Sequence, residues 1–343
     1  MDPLNTLTTT GISLHMDAEC GMLCDLTITD DNRQIRPMHA VPWIGETLSP
    51  DTPAHLRRMQ GDFFCAPFAD GGGTAHILHG WPANDLWQIA PRSDPATLHA
   101  QLAHTVQGAT LTKRLRVEPG HPFLYQSHSF VGGEGTISAA NHAMVTLPHG
   151  GLLSFSPKAH FRTPATAPEP DPARGRSALT YPASAIDPSQ FPAAGGGTID
   201  LTRYPFRAGH EDFVVATETA GSPLGWTAVV RLGFQDLYIS LRNPAQLPTT
   251  MLWHSDASRD YAPWLGRHRA CLGVEEGFAP HMLGQPGGFA LGGHLDIRHA
   301  IGAIAWPSES RVTAITATRD SLTITGADGS HRTVPFDLSH LYP

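Results

Sequence analysis

The sequence is poor in charge. Asp, Glu, Lys and Arg make up 16% of its 343 residues, against roughly 25% in an average globular domain. The 23 basic and 31 acidic residues leave a formal net charge of −8. A protein of this sign repels nucleic acids and anionic membranes. We therefore expect no nucleic-acid or membrane partner, and small uncharged partners instead.

Cysteines are few, and long apolar runs are absent. The chain has four cysteines, and the pair Cys20 and Cys24 lacks a second pair at zinc-binding spacing. No apolar run approaches the ~20 residues that span a bilayer. The opening residues "MDPLNTLTTTGISLHMD" lack the basic and apolar regions of a secretory signal. These absences predict a reduced, cytoplasmic chain.

The sequence also lacks a metal-binding motif. It has 20 histidines but no H-E-x-x-H pattern. In "HILH", His76 and His79 would lie on nearly opposite faces of a strand and could not easily share a metal ion. We therefore predict no metal site.

Glycine and proline are abundant, at 34 and 30 residues. Between them lie short runs that alternate in polarity, such as "DFVVATET", "GWTAVVRLGF" and "DLYISLRN", and two patterns typical of hairpins, "LCDLTITDDNRQIRP" and "RVTAITATRDSLTITGADGSHRTVPF". No repeat of 20–50 residues indicates a propeller. The pattern predicts an all-β fold with two large antiparallel sheets packed face to face.

Three segments are less regular. Residues 94–108 fit a helix or a strand, and the alternation that follows them favours a long hairpin. Residues 49–59, "SPDTPAHLRRM", predict a short helix with proline in its first turn. Residues 163–198 are rich in Pro, Ala and Gly, and fit an interdomain linker or a long loop. Strand-like sequence on both sides favours the loop, and hence one domain over residues 1–343.

Four polar clusters interrupt apolar or glycine-rich surroundings. Each has a plain structural interpretation: a turn histidine, a satisfied core histidine or a solvated strand end. One of the two adjacent glutamates must nevertheless point inward if their segment is a strand, and a buried carboxylate needs a partner. The clusters are His79-Gly80-Trp81, Asn141-His142, His210-Glu211-Asp212 and Glu275-Glu276.

Together the clusters offer an imidazole acid, a carboxylate base and an aromatic wall. This combination suits proton transfer on a sugar, because hydroxyls need several hydrogen-bonding groups and the apolar faces of a sugar ring favour tryptophan.

The order of the clusters resembles the aldose 1-epimerases, the galactose mutarotase-like proteins. Members of that family carry an HG motif, an N-H pair within a strand, a segment similar to G-x-D-H-x-F-V and a strand that ends in a catalytic glutamate. The resemblance covers most of the chain. The corresponding segments here are "GDFFCAPFADGG" (61–72), "HGW" (79–81), "NHAMVTL" (141–147), "GHEDFVV" (209–215) and "CLGVEE" (271–276).

The resemblance implies a β-supersandwich that interconverts the anomers of a free, non-phosphorylated aldose. Glu275 would remove the C1 hydroxyl proton while His142 protonates the ring oxygen. The ring would open, rotate about C1–C2 and reclose. His79 would bond sugar hydroxyls, and Glu211 or Asp212 would hold a distal one. The family's chemistry requires no metal or organic cofactor.

Two departures and two rivals stay open. Family members place an arginine shortly before the HG motif, where this chain reads "APFADGG", and this disfavours phosphorylated sugars. The third motif reads His-Glu-Asp instead of Asp-His-Asn. The alternatives are a non-catalytic carbohydrate-binding protein on the same fold and an enzyme of other chemistry, such as a lyase or another isomerase, on the same sandwich. Trp81 is expected in the sugar site, and the protein is expected to be a monomer or a homodimer.

The sequence also predicts how the central residues are oriented. Glu275 should lie in the pocket and Glu276 should point away from it. Asn141 should lie on the other face of its strand and help to fix the backbone. His142 should form the floor of a polar, solvated pocket, so that replacing it would barely affect folding.

Overall fold

The structure is a computed structural model that describes residues 3–169, 171 and 176–343. Every described pair of strands is antiparallel, and two large sheets of seven and nine strands dominate the molecule. The all-β class with large antiparallel sheets, predicted from the sequence, is confirmed. The prediction of one domain over the whole chain stays a prediction.

The seven-stranded sheet carries Glu211, Glu275 and His142 on three of its interior strands. In spatial order its strands are Ser184–Ala185, Lys158–Arg162, Glu211–Glu218, Thr249–Ser255, Cys271–Phe278, Ala139–Thr146 and Phe64–Cys65.

The nine-stranded sheet packs behind it. In spatial order its strands are Arg203–Tyr204, Gly151–Phe155, Gly225–Arg231, Asp236–Arg242, Gly293–Ala305, Phe123–Gly132, Ala109–Val117, Thr97–Leu102 and Trp87–Ile89.

Smaller elements complete the fold. One sheet joins Thr6–Thr9, Ile12–Asp17, Met22–Asp30 and Arg33–Ile35; another joins Val312–Ala317, Ser321–Gly326 and His331–Pro335; two-stranded pairs join Thr136–Ile137 to Phe289–Ala290 and Phe191–Pro192 to Thr198–Ile199. The helices are short: an α-helix at Ala54–Arg57 and 3₁₀ turns at Pro3–Asn5, Trp81–Ala83, Pro188–Gln190, Pro280–Leu283 and Leu338–His340. Within the described ranges, no helix is long and apolar enough to cross a membrane.

The seven-stranded sheet is buried on both faces. Since side chains alternate along each strand, each strand contributes residues to both faces. Its inner face shares one apolar cluster with the nine-stranded sheet, including Val145, Val214, Leu252 and Leu272 against Leu111, Leu124, Tyr238 and Ile301. Its outer face carries a second cluster, here called the outer cluster, in which Met144, Phe213, Met251, Trp253 and Cys271 pack against Trp43, Phe63, Phe68 and Trp264. The outer face is therefore covered by aromatic side chains from connecting segments.

Several local predictions are confirmed. Thr97–Leu102 and Ala109–Val117 form the expected long hairpin, and the sheet of residues 312–335 is the expected meander. The predicted helix is present but shorter, at Ala54–Arg57.

One local prediction is wrong. The "HILH" segment is not a strand: residues 71–80 form turns and bends, and His79 has φ 65°. Gly71, Gly72 and Gly73, just before it, have positive φ angles, which do not fit a regular strand. The segment 163–198 is only partly described, since residues 170 and 172–175 fall outside the described ranges.

Candidate functional site

Strand register brings His142 and Glu275 together. The strands Ala139–Thr146 and Cys271–Phe278 are neighbours, and His142 lies directly opposite Glu275. Residues in opposite positions project to the same face of a sheet. The His142 Nε2 and Glu275 Oε1 atoms lie 3.2 Å apart. Two residues that are 133 positions apart thus meet on the outer face.

The pair is close but not locked by a hydrogen bond. Both carboxylate oxygens of Glu275 and the Nδ1 atom of His142 are buried without a hydrogen-bond partner among the described residues. The 3.2 Å contact therefore lacks hydrogen-bond alignment. Buried polar groups in native proteins are nearly always satisfied, so each exception calls for an explanation.

Gly273 makes room for the carboxylate. A Cβ atom added there would lie 2.5 Å from the Glu275 Oε1 atom and 2.9 Å from the Trp253 Cβ atom. Any side chain at this position would push the carboxylate away from His142. The "GVE" sequence therefore has a steric role in placing Glu275.

Glu276 faces the opposite way, between the two large sheets. Its carboxylate accepts hydrogen bonds from three hydroxyls and pairs with one guanidinium. The partners are Thr227 at 2.8 Å, Thr250 at 2.8 Å, Ser240 at 3.1 Å and Arg242 at 2.9 Å.

The HG motif brings His79 to the pair. Gly80 has φ 69°, and an added Cβ there would lie 2.2 Å from the Ala66 carbonyl oxygen, so only glycine fits. This turn places the His79 ring edge-on to the His142 ring at 5.3 Å between centroids. His79 also contacts His55 and Phe63, at 5.3 and 5.7 Å.

Aromatic rings enclose His142. The Phe63 ring stacks on its imidazole at 4.4 Å, and Trp253 meets it edge-on at 5.8 Å. The backbone is also fixed, since the His142 N–H donates to the Phe63 carbonyl at 2.7 Å. His142 is 5% exposed and Glu275 is 1% exposed. The predicted solvated pocket is therefore not what the structure has: the pair lies in a closed, aromatic environment.

Burial sets the protonation of the pair. It lowers the pKa of His142 to about 3, with a smaller opposing contribution from its own backbone and a further lowering from His55. Burial alone raises the pKa of Glu275 well above its usual range. Burial, reinforced by His142 and His55, lowers the pKa of His79 far below its usual value. Burial thus favours the uncharged form of all three groups, a neutral imidazole at His142 and His79 and a protonated carboxyl at Glu275.

Glu211 lies at the same face and is already occupied. The Arg259 guanidinium forms a bidentate contact with its carboxylate, donating from Nε at 2.7 Å and from Nη2 at 2.6 Å. The Trp253 indole N–H donates to it at 2.7 Å and the Ser258 hydroxyl at 3.2 Å. Because Trp253 also contacts His142, one indole links Glu211 to the catalytic candidates.

Asp212 is not part of this cluster. It follows Glu211 in a strand and so faces the other side. It accepts hydrogen bonds from the Ala178 and Leu179 backbone N–H groups at 2.9 and 3.1 Å, and from the Tyr181 hydroxyl at 3.1 Å. Its contacts anchor the segment at 178–181 to the sheet.

The structure does not bring Trp81 to the cluster either. Its indole stacks on the His104 ring at 4.2 Å and packs against the inner apolar cluster. His79 and Trp81 project to different places because the tight turn at Gly80 separates them.

Asn141 lies on the inner face, as expected, but its side chain does not hold the backbone in place. It is fully buried, and both of its amide atoms lack hydrogen-bond partners among the described residues. The expected stabilising role of this side chain is therefore wrong.

The segment 256–270 also contributes to this face, although none of the sequence motifs above pointed to it. It supplies Arg259 and Trp264 to the outer face, and an arginine thus reaches the site from a different position than the one expected before the HG motif. A signal was present: two tightly spaced aromatics and three arginines between two strands, in "SRDYAPWLGRHRAC". Loop residues of this kind often carry function.

No protein-family model matches the chain, and a search of curated proteins finds no match. The chain is similar to solved structures of low sequence identity.

One neighbour is named "putative aldose 1-epimerase", from Escherichia coli K12, with TM-score 0.57, 13% identity, and coverage of 87% of this chain and 97% of that one. A galactose mutarotase related enzyme from Lactobacillus acidophilus has TM-score 0.53 and 10% identity over 87% of this chain and 96% of that one. A Klebsiella pneumoniae protein of the same name as the first has TM-score 0.52 and 13% identity over 87% and 78%. The chain has the galactose mutarotase-like fold.

Proposed function

We propose that this protein is an aldose 1-epimerase-like isomerase that interconverts the anomers of a free, non-phosphorylated aldose. One observation carries the proposal: on this fold, Glu275 is buried with both oxygens unbonded and lies 3.2 Å from His142. An acid and a base that are fixed side by side and left unsatisfied are prepared to bond a substrate.

The reaction needs one proton donor and one acceptor. The entering sugar brings polar groups into a dry surrounding, which favours charge separation, so the Glu275 proton passes to His142 across their direct contact. The sugar's C1 hydroxyl and ring oxygen then take the place of that contact. The Glu275 carboxylate then takes the C1 hydroxyl proton, the bond between C1 and the ring oxygen breaks, and His142 protonates that oxygen.

The open-chain aldehyde rotates about C1–C2, and the ring recloses with the roles reversed. Each group ends in the protonation state in which it began, so no cofactor or net proton is consumed. His79 serves as a hydrogen-bonding group beside the pair, since its Nδ1 atom is buried and without a partner among the described residues.

Substrate entry requires an opening. The segment 256–270 lies over this face and is tied to Glu211 through Arg259. A distal sugar hydroxyl competes for Glu211 with Arg259 and the Trp253 indole. We therefore expect a slow enzyme whose rate is limited in part by movement of this segment.

The test is anomer exchange measured by NMR or polarimetry on a panel of free aldoses. The wild type should accelerate the anomer exchange of at least one sugar. His142→Asn and Glu275→Gln should each lower that exchange rate by roughly 10²–10⁴-fold, the contribution of a positioned acid or base.

His128→Asn is the matched control. His128 is 1% exposed and stacks on Phe64 at 3.8 Å, much as His142 stacks on Phe63, but Phe64 belongs to the apolar cluster between the two large sheets. Its loss should affect stability and leave the exchange rate unchanged. Equal rates in wild type and in a folded Glu275→Gln variant, for every sugar that binds, would refute the enzyme.

One observation favours the non-catalytic alternative, a carbohydrate-binding protein. The His142 Nε2 and Glu275 Oε1 atoms are in direct contact at 3.2 Å, which leaves no sugar-sized gap between the acid and the base. Saturable sugar binding, seen as NMR shifts, without any anomer exchange would support this alternative over the isomerase.

A further inference from the structure

We propose that His39, His268 and Cys271 form a binding site for a d¹⁰ metal ion, Zn²⁺ or Cu⁺. One ligand atom from each of the three side chains lies within 4.8 Å of the other two. This site is separate from the His142–Glu275 pair, and its argument does not depend on the proposed isomerase activity.

The backbone around each ligand is fixed to the seven-stranded sheet. The His39 N–H donates to the Met144 carbonyl at 2.9 Å, and the Gly61 N–H donates to the His39 carbonyl at 2.8 Å. Cys271 begins the strand Cys271–Phe278. His268 lies three residues earlier, and its carbonyl accepts from the Ala257 N–H at 2.6 Å.

Hydrogen bonding and ring contacts orient His268. Its Nδ1 atom lies 2.7 Å from the Ser255 hydroxyl, and Ser255 is the register partner of Cys271. Trp253 stacks on the ring at 5.2 Å and Trp264 meets it edge-on at 5.0 Å. With Nδ1 engaged in this way, Nε2 is left as the metal ligand, an arrangement common for zinc-bound imidazoles.

The ligand atoms are buried and unsatisfied. The Nε2 atoms of His39 and His268 have no hydrogen-bond partner among the described residues. His39 is 9% exposed, His268 is 2% exposed and Cys271 is fully buried as a free thiol. Leaving two imidazole nitrogens and a thiol together without partners is unfavourable, and a shared cation satisfies all three at once.

The donor set selects the metal. One thiolate and two imidazoles suit Zn²⁺ and Cu⁺, whereas Mg²⁺ and Ca²⁺ require oxygen ligands. The thiolate forms as the cation replaces the Cys271 proton.

The first experiment uses the full-length wild-type protein, reduced and stripped of metal with a chelator. Co²⁺, the spectroscopic substitute for Zn²⁺, should give a thiolate-to-cobalt absorption band that saturates at about one equivalent and disappears when Zn²⁺ is added. Cu⁺ is tested separately by competition with a Cu⁺-specific dye. Saturable one-equivalent binding in either arm supports the site and identifies the metal. No one-equivalent binding in either arm overturns it.

Variants assign the ligands. Cys271→Ser and His39→Ala should abolish the band or the competition. Cys65→Ser should retain it, because Cys65 is an equally buried free cysteine of the same outer cluster. Metal should raise the melting temperature of the wild type and of Cys65→Ser, but not that of Cys271→Ser. Retained one-equivalent binding in Cys271→Ser would overturn the assignment, and the wild-type titration decides the question even where a variant does not fold.

Discussion

Two adjacent carboxylates, Glu275 and Glu276, lie on opposite faces of one strand and differ in how many bonding partners surround them. Both are buried, at 1% and 0% exposure. Glu276 has three hydroxyl donors and the Arg242 guanidinium around it. Glu275 has His142 beside it and no hydrogen bond from the described residues.

The difference separates structure from chemistry. A buried charge with a full set of partners is a stable part of the interior, although its removal is costly. A buried carboxyl without partners destabilises the fold, and this is the kind of group that active sites retain. Burial alone does not tell the two apart; the partners do.

The largest expected effect is on the Glu276 side. Glu276→Gln should lower the free energy of unfolding by roughly 3 kcal/mol, because it removes one partner of a buried ion pair. Arg242 then keeps its contact with the Glu218 carboxylate and its hydrogen bond to the Leu247 carbonyl. Urea denaturation measures this loss.

Glu275→Gln is the isosteric comparison. Measured near pH 4, where Glu275 is protonated in both the folded and the unfolded chain, it should change the free energy of unfolding by no more than about 1 kcal/mol, because no ion partner and no aligned hydrogen bond is lost. Equal losses in the two variants would mean that the distinction between the two faces is wrong.

The second prediction concerns pH. Glu275 has a raised pKa in the folded state, so above about pH 4.5 the unfolded chain loses this proton while the folded chain keeps it. The wild type should therefore lose stability relative to Glu275→Gln as pH rises, with a slope of at most about 1.4 kcal/mol per pH unit.

His142 should show the opposite slope. Its folded pKa is about 3, so between pH 6.5 and 3 the unfolded chain takes up a proton that the folded chain does not. The wild type should lose stability relative to His142→Asn as pH falls through that window. Urea titrations at several pH values measure both differences, and pH-independent differences would contradict the neutral pair.

The third prediction concerns Glu211, which shares the outer face with Glu275 but is satisfied like Glu276. Arg259→Lys keeps the charge but loses the bidentate contact, so it should lower the free energy of unfolding by about 1 kcal/mol. Hydrogen exchange should increase across residues 256–270, and anomer exchange should become faster if this segment controls entry. Unchanged hydrogen exchange would show that Arg259 does not hold the segment closed.

Much of the fold was predictable because strand periodicity is local. Alternation alone places Glu275 and Glu276 on opposite faces, and the order of the polar motifs indicates which strands converge. The closed environment of His142 was not predictable, since Phe63 and Trp253 reach it from segments distant in sequence. The position of Arg259 and the proximity of His39 to Cys271 were not predictable for the same reason, since only the folded sheet brings these residues together.

The smallest expected effect tests the inner face itself. Asn141 lies opposite Glu276 and Phe64 in register, yet both atoms of its amide lack partners among the described residues. A buried amide without hydrogen bonds carries a desolvation cost of roughly 1–3 kcal/mol, and leucine has a similar volume. Asn141→Leu should therefore leave the free energy of unfolding unchanged or raise it by less than about 1 kcal/mol. Asn141→Asp, which adds an unpaired charge opposite Glu276, should instead be strongly destabilising in the same urea assay. If Asn141→Leu lowers the free energy of unfolding by more than about 2 kcal/mol, the Asn141 amide makes hydrogen bonds that stabilise the fold, and the prediction is wrong.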